Sequence, residues 1–399
     1  MKKLILAITI SLVALAGYSQ STNDILNLLI ENKTITQTQA DSIRADAAIK
    51  QQEIDAKKKS FPIGASKAIQ LSGYTHIRFQ DLQEKGKPDA IDIRRARLDL
   101  KGTINPYWGY RLQYDFGGGS KGKGASFVAY TPKLLDAFAE WKPFDFLILT
   151  AGQFNIPISL ENLTSDKVLS SINRSQVVEA FTARSKDVIG DNNGRDIGIQ
   201  VSGSILKFDE INLFEYKIGL FEGQGINKAE DKNQFKDIAG RLVIHPLKGI
   251  DIGGSFYHGE AWYGKTGVDD PAAKNHLRNR FGFDANIEYK NASLTAEYLN
   301  GTDSSRVSDG YYIQAGYFVI PQQLQLLAKY DSYHNFKSYE YENAAVKDKP
   351  TKSNFNDIIL GLNYIISSNS RIQASYTLRY EENDFVRNNF FLVQLQIGF

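Results

Sequence analysis

The sequence predicts an all-β protein, a 16-stranded antiparallel transmembrane β-barrel with a short N-terminal periplasmic α-helical segment, and three observations predict it. From Ile69 onward apolar and polar residues alternate with period two, as they do on a β-strand whose faces meet different media. Short connections alternate with long ones, the pattern of an outer-membrane barrel with tight periplasmic turns and extended outer loops. The chain then ends NNFFLVQLQIGF, an amphipathic strand closed by an aromatic carboxy terminus at Phe399.

The elements follow in order. Residues 1–20 have a basic start at Lys2 and Lys3, an apolar run from Leu4 to Ala16 and small residues near Gly17 and Ser19, which reads as a secretory signal peptide. Residues 21–67 form a leader and linker. The stretch Ser21 to Lys59 is free of glycine, and its apolar residues fall at loosely helical spacings. It reads as two periplasmic helices, with a turn near Asn32 to Thr36 and Thr36 capping the second. A coiled coil between subunits is the alternative, although the apolar repeat is irregular. Phe61 to Lys67, with Pro62 and Gly64, is the linker, and residues 68–399 are the barrel.

Within the barrel, Ile91 to Gly102 (IDIRRARLDLKG) is the most informative strand. Arg95, Arg97, Asp99 and Lys101 fall on one side, and Ala96, Leu98 and Leu100 on the other. Ile91 and Ile93 share parity with Arg95, so a bulge near Arg94, or a strand end already above the lipid, is expected; either could also aim Arg94 inward. The same alternation runs through Ile69 to Gln80, Tyr107 to Phe116, Arg278 to Lys290 and weaker segments between them. A lysine or arginine on the lipid face at mid-depth costs about 2–4 kcal/mol, so the cations of one parity belong in the lumen. Those cations are Arg78, Arg95, Arg97, Lys101, Arg111, Arg241, Arg280, Lys329 and Arg379. Asp99, Asp115, Asp284, Glu288 and Glu297 point the same way, so each cation is either a pore ligand or half of a structural ion pair. Trp108, Tyr110, Tyr289, Tyr298, Tyr330, Tyr364, Tyr376 and Phe399 fit interfacial girdles or lipid-facing positions.

Several segments together bring a family into view: IRRARLDLKG, AGQFNIPISLEN (151–162), NNGRDIGIQVSG (192–203), KIGLFEGQGINKAEDKNQFKDIAGRLVIHP (217–246) and GYYIQAGYFVIP (310–321) followed by AKYDSY. In order and spacing the sequence resembles the phosphate-selective porins of O and P type, in a Bacteroidota-like version. The resemblance implies an outer-membrane, usually trimeric barrel that passes small anions such as phosphate through a basic eyelet narrowed by an inward loop. Separately, the amphipathic last strand ending in Phe399 looks like the signature that bacterial barrel-assembly machinery recognises. Residues 155–194, the longest connection, match the place of that loop and carry Lys167, Arg174, Arg184 and Lys186. Arg78, Arg94, Arg95, Arg97, Lys101, Arg111, Arg241 and Arg280 are the expected anion-lining residues of the wall.

Composition limits the other classes. The formal charge of +2 resides in Lys2 and Lys3, because residues 1–20 carry no other charge. Any anion preference must therefore come from where charges sit rather than from their sum. There is no cysteine, which excludes a disulfide framework and a lipoprotein anchor. The 5 histidines are scattered without metal spacing, and no nucleophile elbow is present, so neither an enzyme nor a metal or other cofactor is expected. No extended basic stretch supports nucleic-acid binding. A general or carbohydrate-permeable porin, and an adhesin-like barrel without an open pore, are the remaining alternatives.

Overall fold

A computed structural model describes residues 31–32, 61–62, 69–84, 86–118, 131–189, 193–208, 211–228, 230–264, 271–304, 306–334, 354–381 and 388–399. The expected signal peptide lies outside these residues, as do residues 63–67 of the linker. Of the leader, Glu31 is helical and Asn32 lies in a turn. The chain divides into two units, Met1–Lys59 and Ser60–Phe399, and the second is the barrel.

The first strand is a two-residue β1 (Phe61–Pro62). The wall follows as β2 (Gln70–Leu82), β3 (Ala90–Thr103), β4 (Trp108–Asp115), β5 (Lys133–Phe144), β6 (Leu147–Asn155), β7 (Arg195–Phe208), β8 (Ile211–Phe221) and β9 (Asp237–Leu247). It continues as β10 (Ile250–Tyr263), β11 (Lys274–Tyr289), β12 (Ala292–Asp303), β13 (Arg306–Ile320), β14 (Leu324–His334), β15 (Phe355–Ser367), β16 (Ser370–Glu381) and β17 (Phe390–Gly398). Each strand from β2 to β17 pairs antiparallel with the next, and β17 returns to β2 with Val393 opposite Phe79. The sixteen strands therefore close on themselves, which leaves no open edge in the wall. Part of the expected linker departs from expectation: Phe61 pairs with Leu71 and Pro62 with Gln70, so β1 is held against the first wall strand.

Parity decides which side chains meet which medium. On β11, Phe283 and Tyr289 are 64% and 67% exposed on the outer face, whereas Arg278 and Arg280 are buried inside. Trp108, Tyr330, Tyr364 and Phe399 also lie on the outside, as the girdle reading expects. On β17 the inward residues are uncharged, Gln394 and Gln396 being almost fully buried. One connection breaks the short–long rule: β12 and β13 run past the lengths that alternation suggested, β12 ending at Asp303 and β13 beginning at Arg306 at the long-loop end.

The connection between β6 and β7 folds into the lumen. It holds two short helices, α1 (Leu160–Leu163) and α2 (Gln176–Phe181). The side chain of Ser159 accepts a hydrogen bond from the Asn162 amide at 3.1 Å, closing the first turn of α1. The amides of Leu160 and Glu161 donate to Glu297 on β12 at 3.0 and 3.2 Å, so a wall carboxylate receives the orphan donors of that helix start. Asp331 on β14 does the same for α2 through the Gln176 amide at 2.9 Å. Val177, Val178 and Phe181 are buried against Leu299, Tyr312 and Tyr333. That contact needs a flat wall: a Cβ on Gly301 would stand 2.5 Å from the Phe181 ring, and one on Gly310 2.9 Å from Val177.

Candidate functional site: a basic cavity above the inward loop

The site begins at an irregularity in one strand. His76 on β2 faces Arg95, but Ile77 faces Ile93, so Arg94 is an extra residue in β3 without an opposite. A bulge places two successive residues on the same side of a strand, and both Arg94 and Arg95 line a cavity of about 510 Å³. The alternation before and after Arg94 is out of phase for this reason. Asp92 and Arg78 face inward on one side of the bulge, and Arg95 and Arg97 on the other.

The cavity lies between β2–β5 and the upper surface of the inward loop. Its charged lining consists of Arg78, Arg94, Arg95, Arg97, Lys133, Arg174 and Arg184 against Asp92, Asp115 and Glu179. Seven cations thus face three carboxylates. Some are neutralised locally: Arg78 binds Asp92 at 2.6 Å, and Arg97 binds Asp115 at 2.8 Å. Arg94 differs. Among the described residues no carboxylate lies within ion-pair distance of it, and its buried Nε has no hydrogen-bond partner. Arg184 likewise spends its donors on neutral acceptors, the side chain and carbonyl of Asn162 at 2.8 and 3.4 Å. A guanidinium keeps its charge at any relevant pH and offers several donors to an oxyanion. A cleft lined by one sign of charge concentrates ions of the other.

The floor of the cavity is an ion cluster. Asp166, from the loop, meets Arg95 at 3.1 Å and Arg97 at 2.6 Å, and it also pairs with Arg174. Burial by itself would raise the Asp166 carboxyl, but Arg174, Arg95 and Arg97 overcome it and hold the group well below the usual carboxylate range.

The remaining expected residues are dispersed. Arg111 is tied to Asp99 at 2.7 Å and to Asp136 at 3.2 Å. Arg241 binds Asp284, Arg280 binds Asp303 at 2.6 Å, Lys329 binds Glu161 at 2.8 Å and Arg379 binds Asp357 at 2.7 Å. Arg241, Arg280, Lys329 and Arg379 hold strands and loop together on the far wall, Arg111 lies on β4, and none of the five lines the cavity. Lys101 is exposed at the short-turn end of β3, and Lys167 senses its charge there, apart from the arginine group. Lys186 is bonded to Gln176 and lies 4.8 Å from the Phe355 ring. Lys133 and Asp166 were not foreseen as part of the site. The register slips between Gln113 and Tyr114 beside Lys133, which hides its parity, and nothing in the sequence sets Asp166 apart from the loop's other acids.

Comparison with solved structures supports the architecture. A loop-deletion form of OmpT, an outer membrane protein of Vibrio cholerae, superposes with a TM-score of 0.57 at 13% identity, covering 83% of this chain and 99% of that one. An anion-selective porin from Comamonas acidovorans gives 0.57 at 14% identity over 83% and 99%. Salmonella typhi OmpF in complex with daunomycin gives 0.55 at 12% over 83% and 97%. These likenesses show the barrel fold. No curated protein matches the chain in sequence. Residues 69–259, which contain the bulged strand, the inward loop and the strands that flank it, match the family of phosphate-selective porins O and P, so over that stretch the chain is similar to those porins.

Proposed function

We propose that the protein is an anion-preferring, water-filled channel for phosphate or similar small anions. The observation that carries this reading is the excess of cations in the cavity above the loop, with Arg94 and Arg184 holding no carboxylate of their own among the described residues. Rings of arginine or lysine suit anion and phosphate pores provided that binding is weak enough for release. The near-neutral mature chain is compatible with this, since acids collect under the loop on the β11–β15 wall. Arg78, Arg94, Arg95, Arg97, Arg174 and Arg184 are the proposed anion-lining residues, and Lys101, Arg111, Arg241, Arg280, Lys167 and Lys186 act at most at a distance.

Export by residues 1–20, recognition of Phe399 by barrel-assembly machinery and assembly as a homotrimer in outer-membrane lipid complete the proposal. OmpT of Vibrio cholerae, which shares the fold, has a solved structure described as a trimer form. The test is the reversal potential of the wild-type protein in a planar bilayer under a potassium chloride gradient, repeated with phosphate as a blocker. Arg94→Glu is the informative variant, because among the described residues Arg94 has no ion-pair partner, whereas charge reversal at Arg95 or Arg97 also breaks the floor. A change of two charges about 8 Å from the ion path is worth about 1 kcal/mol in water, so the anion-to-cation permeability ratio should fall roughly threefold after screening. An unchanged ratio would remove Arg94 from the site, and cation preference in the wild-type protein would remove the function.

A further inference from the structure

The floor of the cavity contains a group that resembles its proposed cargo. Asp166 presents both carboxylate oxygens to arginines: Oδ1 meets Arg95 and Arg174, and Oδ2 meets Arg97. Three guanidiniums gathered around one small oxyanion is more than a single structural ion pair needs, and it matches the recognition of a tetrahedral oxyanion by several charged donors. The cluster is also not closed on itself. Arg95 lies 3.4 Å from His76, Arg97 donates to the Tyr74 hydroxyl at 2.9 Å and to Asn193 at 3.2 Å, and Asp115 balances Arg97 alone. Arg95, Arg97 and Arg174 line the cavity from below, and Asp166 stands behind them.

Taking the anion-channel reading as its basis, we propose that Asp166 is a resident stand-in for the permeating anion: its carboxylate occupies the three-arginine cradle, and only a competing oxyanion of higher charge displaces it. Asp166 then determines specificity. Chloride carries no more charge than the carboxylate it must replace, whereas a phosphate dianion carries one unit more and offers further acceptors to the same donors. Displacement releases the stretch of loop around Asp166 from β3, because Arg95 and Arg97 are its ion-pair links to that strand. The rest of the loop stays docked on the opposite wall through Glu297 and Asp331.

The experiment compares wild-type protein with Asp166→Asn in planar bilayers, with inorganic phosphate as blocker of the chloride current and Lys236→Gln as a control for surface charge. Removing one unit charge at contact distance in water changes an anion's occupancy about fivefold, so half-block by phosphate should move to an about fivefold lower concentration in Asp166→Asn. Chloride selectivity should be kept or increased. If Asp166 served only to fasten the loop, the variant would pass more current with less selectivity and weaker phosphate block, and that result overturns the proposal. A second measurement does not depend on the variant: amide exchange over residues 160–175 of the wild-type protein should rise at saturating phosphate, and no change there also overturns it. If phosphate fails to block the wild-type channel at all, the anion-channel reading itself fails. Block of the wild-type with no shift in the variant defeats the role of Asp166 alone.

Discussion

Truncating Phe181 to alanine tests how the inward loop is held. Phe181 is 2% exposed, its ring lies edge-on to Tyr333 at 6.0 Å, and the Arg280 guanidinium sits 4.9 Å from its centroid. Removing a buried phenylalanine costs roughly 3–5 kcal/mol when the surroundings cannot collapse. Here they cannot, since the floor beneath the ring is Gly301 on a hydrogen-bonded wall strand. The barrel itself keeps every strand pairing, so the loss falls on the equilibrium between docked and undocked loop. At about 1.4 kcal/mol per tenfold, the undocked population should rise by roughly two to three and a half orders of magnitude. The polar anchors remain, among them Asp187 with Arg278 at 2.6 Å and the Gln176 side chain with Asp357 at 2.9 Å, so release should be transient. Single-channel recordings should show a larger mean conductance with bursts of flicker, while gel mobility with and without heating stays that of a folded barrel. Conductance and noise identical to wild type would refute the idea that α2 positions the loop.

Other expectations follow from the same geometry. Gly310→Val places side-chain atoms into Val177 and the Ser332 carbonyl, where even a Cβ would lie 2.9 and 2.5 Å away, and it should mimic Phe181→Ala in conductance without altering Phe181. Because the folded Asp166 carboxyl titrates well below its ordinary value, its contribution is present above the unfolded carboxylate range and is lost only as pH falls through the lower folded value. Phosphate block attributable to the floor should therefore stay flat between about pH 8 and pH 5 once phosphate's own ionisation is allowed for, and a carboxylate-like step in that interval would contradict the assignment. Lys236, outside the membrane, is raised by its hydrogen bonds to Asp231 and Glu222. That contribution is lost only above the ordinary lysine range, and Lys236→Ala should leave urea unfolding at neutral pH within error. Leu360, 54% exposed in the middle of β15, faces lipid, and Leu360→Lys should lower barrel stability by about 2–4 kcal/mol in vesicle-based urea titrations.

The amino-acid order alone determined the closed antiparallel barrel and the inward and outward faces, and it marked an irregularity beside Arg94, a bulge or a strand end, that the register shows to be a bulge. These are local properties: parity repeats every two residues, and a single extra residue reverses it visibly, as Ile93 and Arg95 show. The inward loop could be located from its length and its place after the fifth wall strand. Its seat could not, because Glu297, Asp331 and the glycines at 301 and 310 lie more than a hundred residues away from the helices they receive. The choice among the cations was likewise tertiary. Arg241 and Arg280 are arginines of the inner face like Arg95, yet Asp284, reached across β10, and Asp303, on the adjacent strand, neutralise them, while the bulge leaves Arg94 with no acid opposite. Alternation fixes the side of the wall a charge faces; only cross-strand register and the path of the loop decide whether that charge is already occupied.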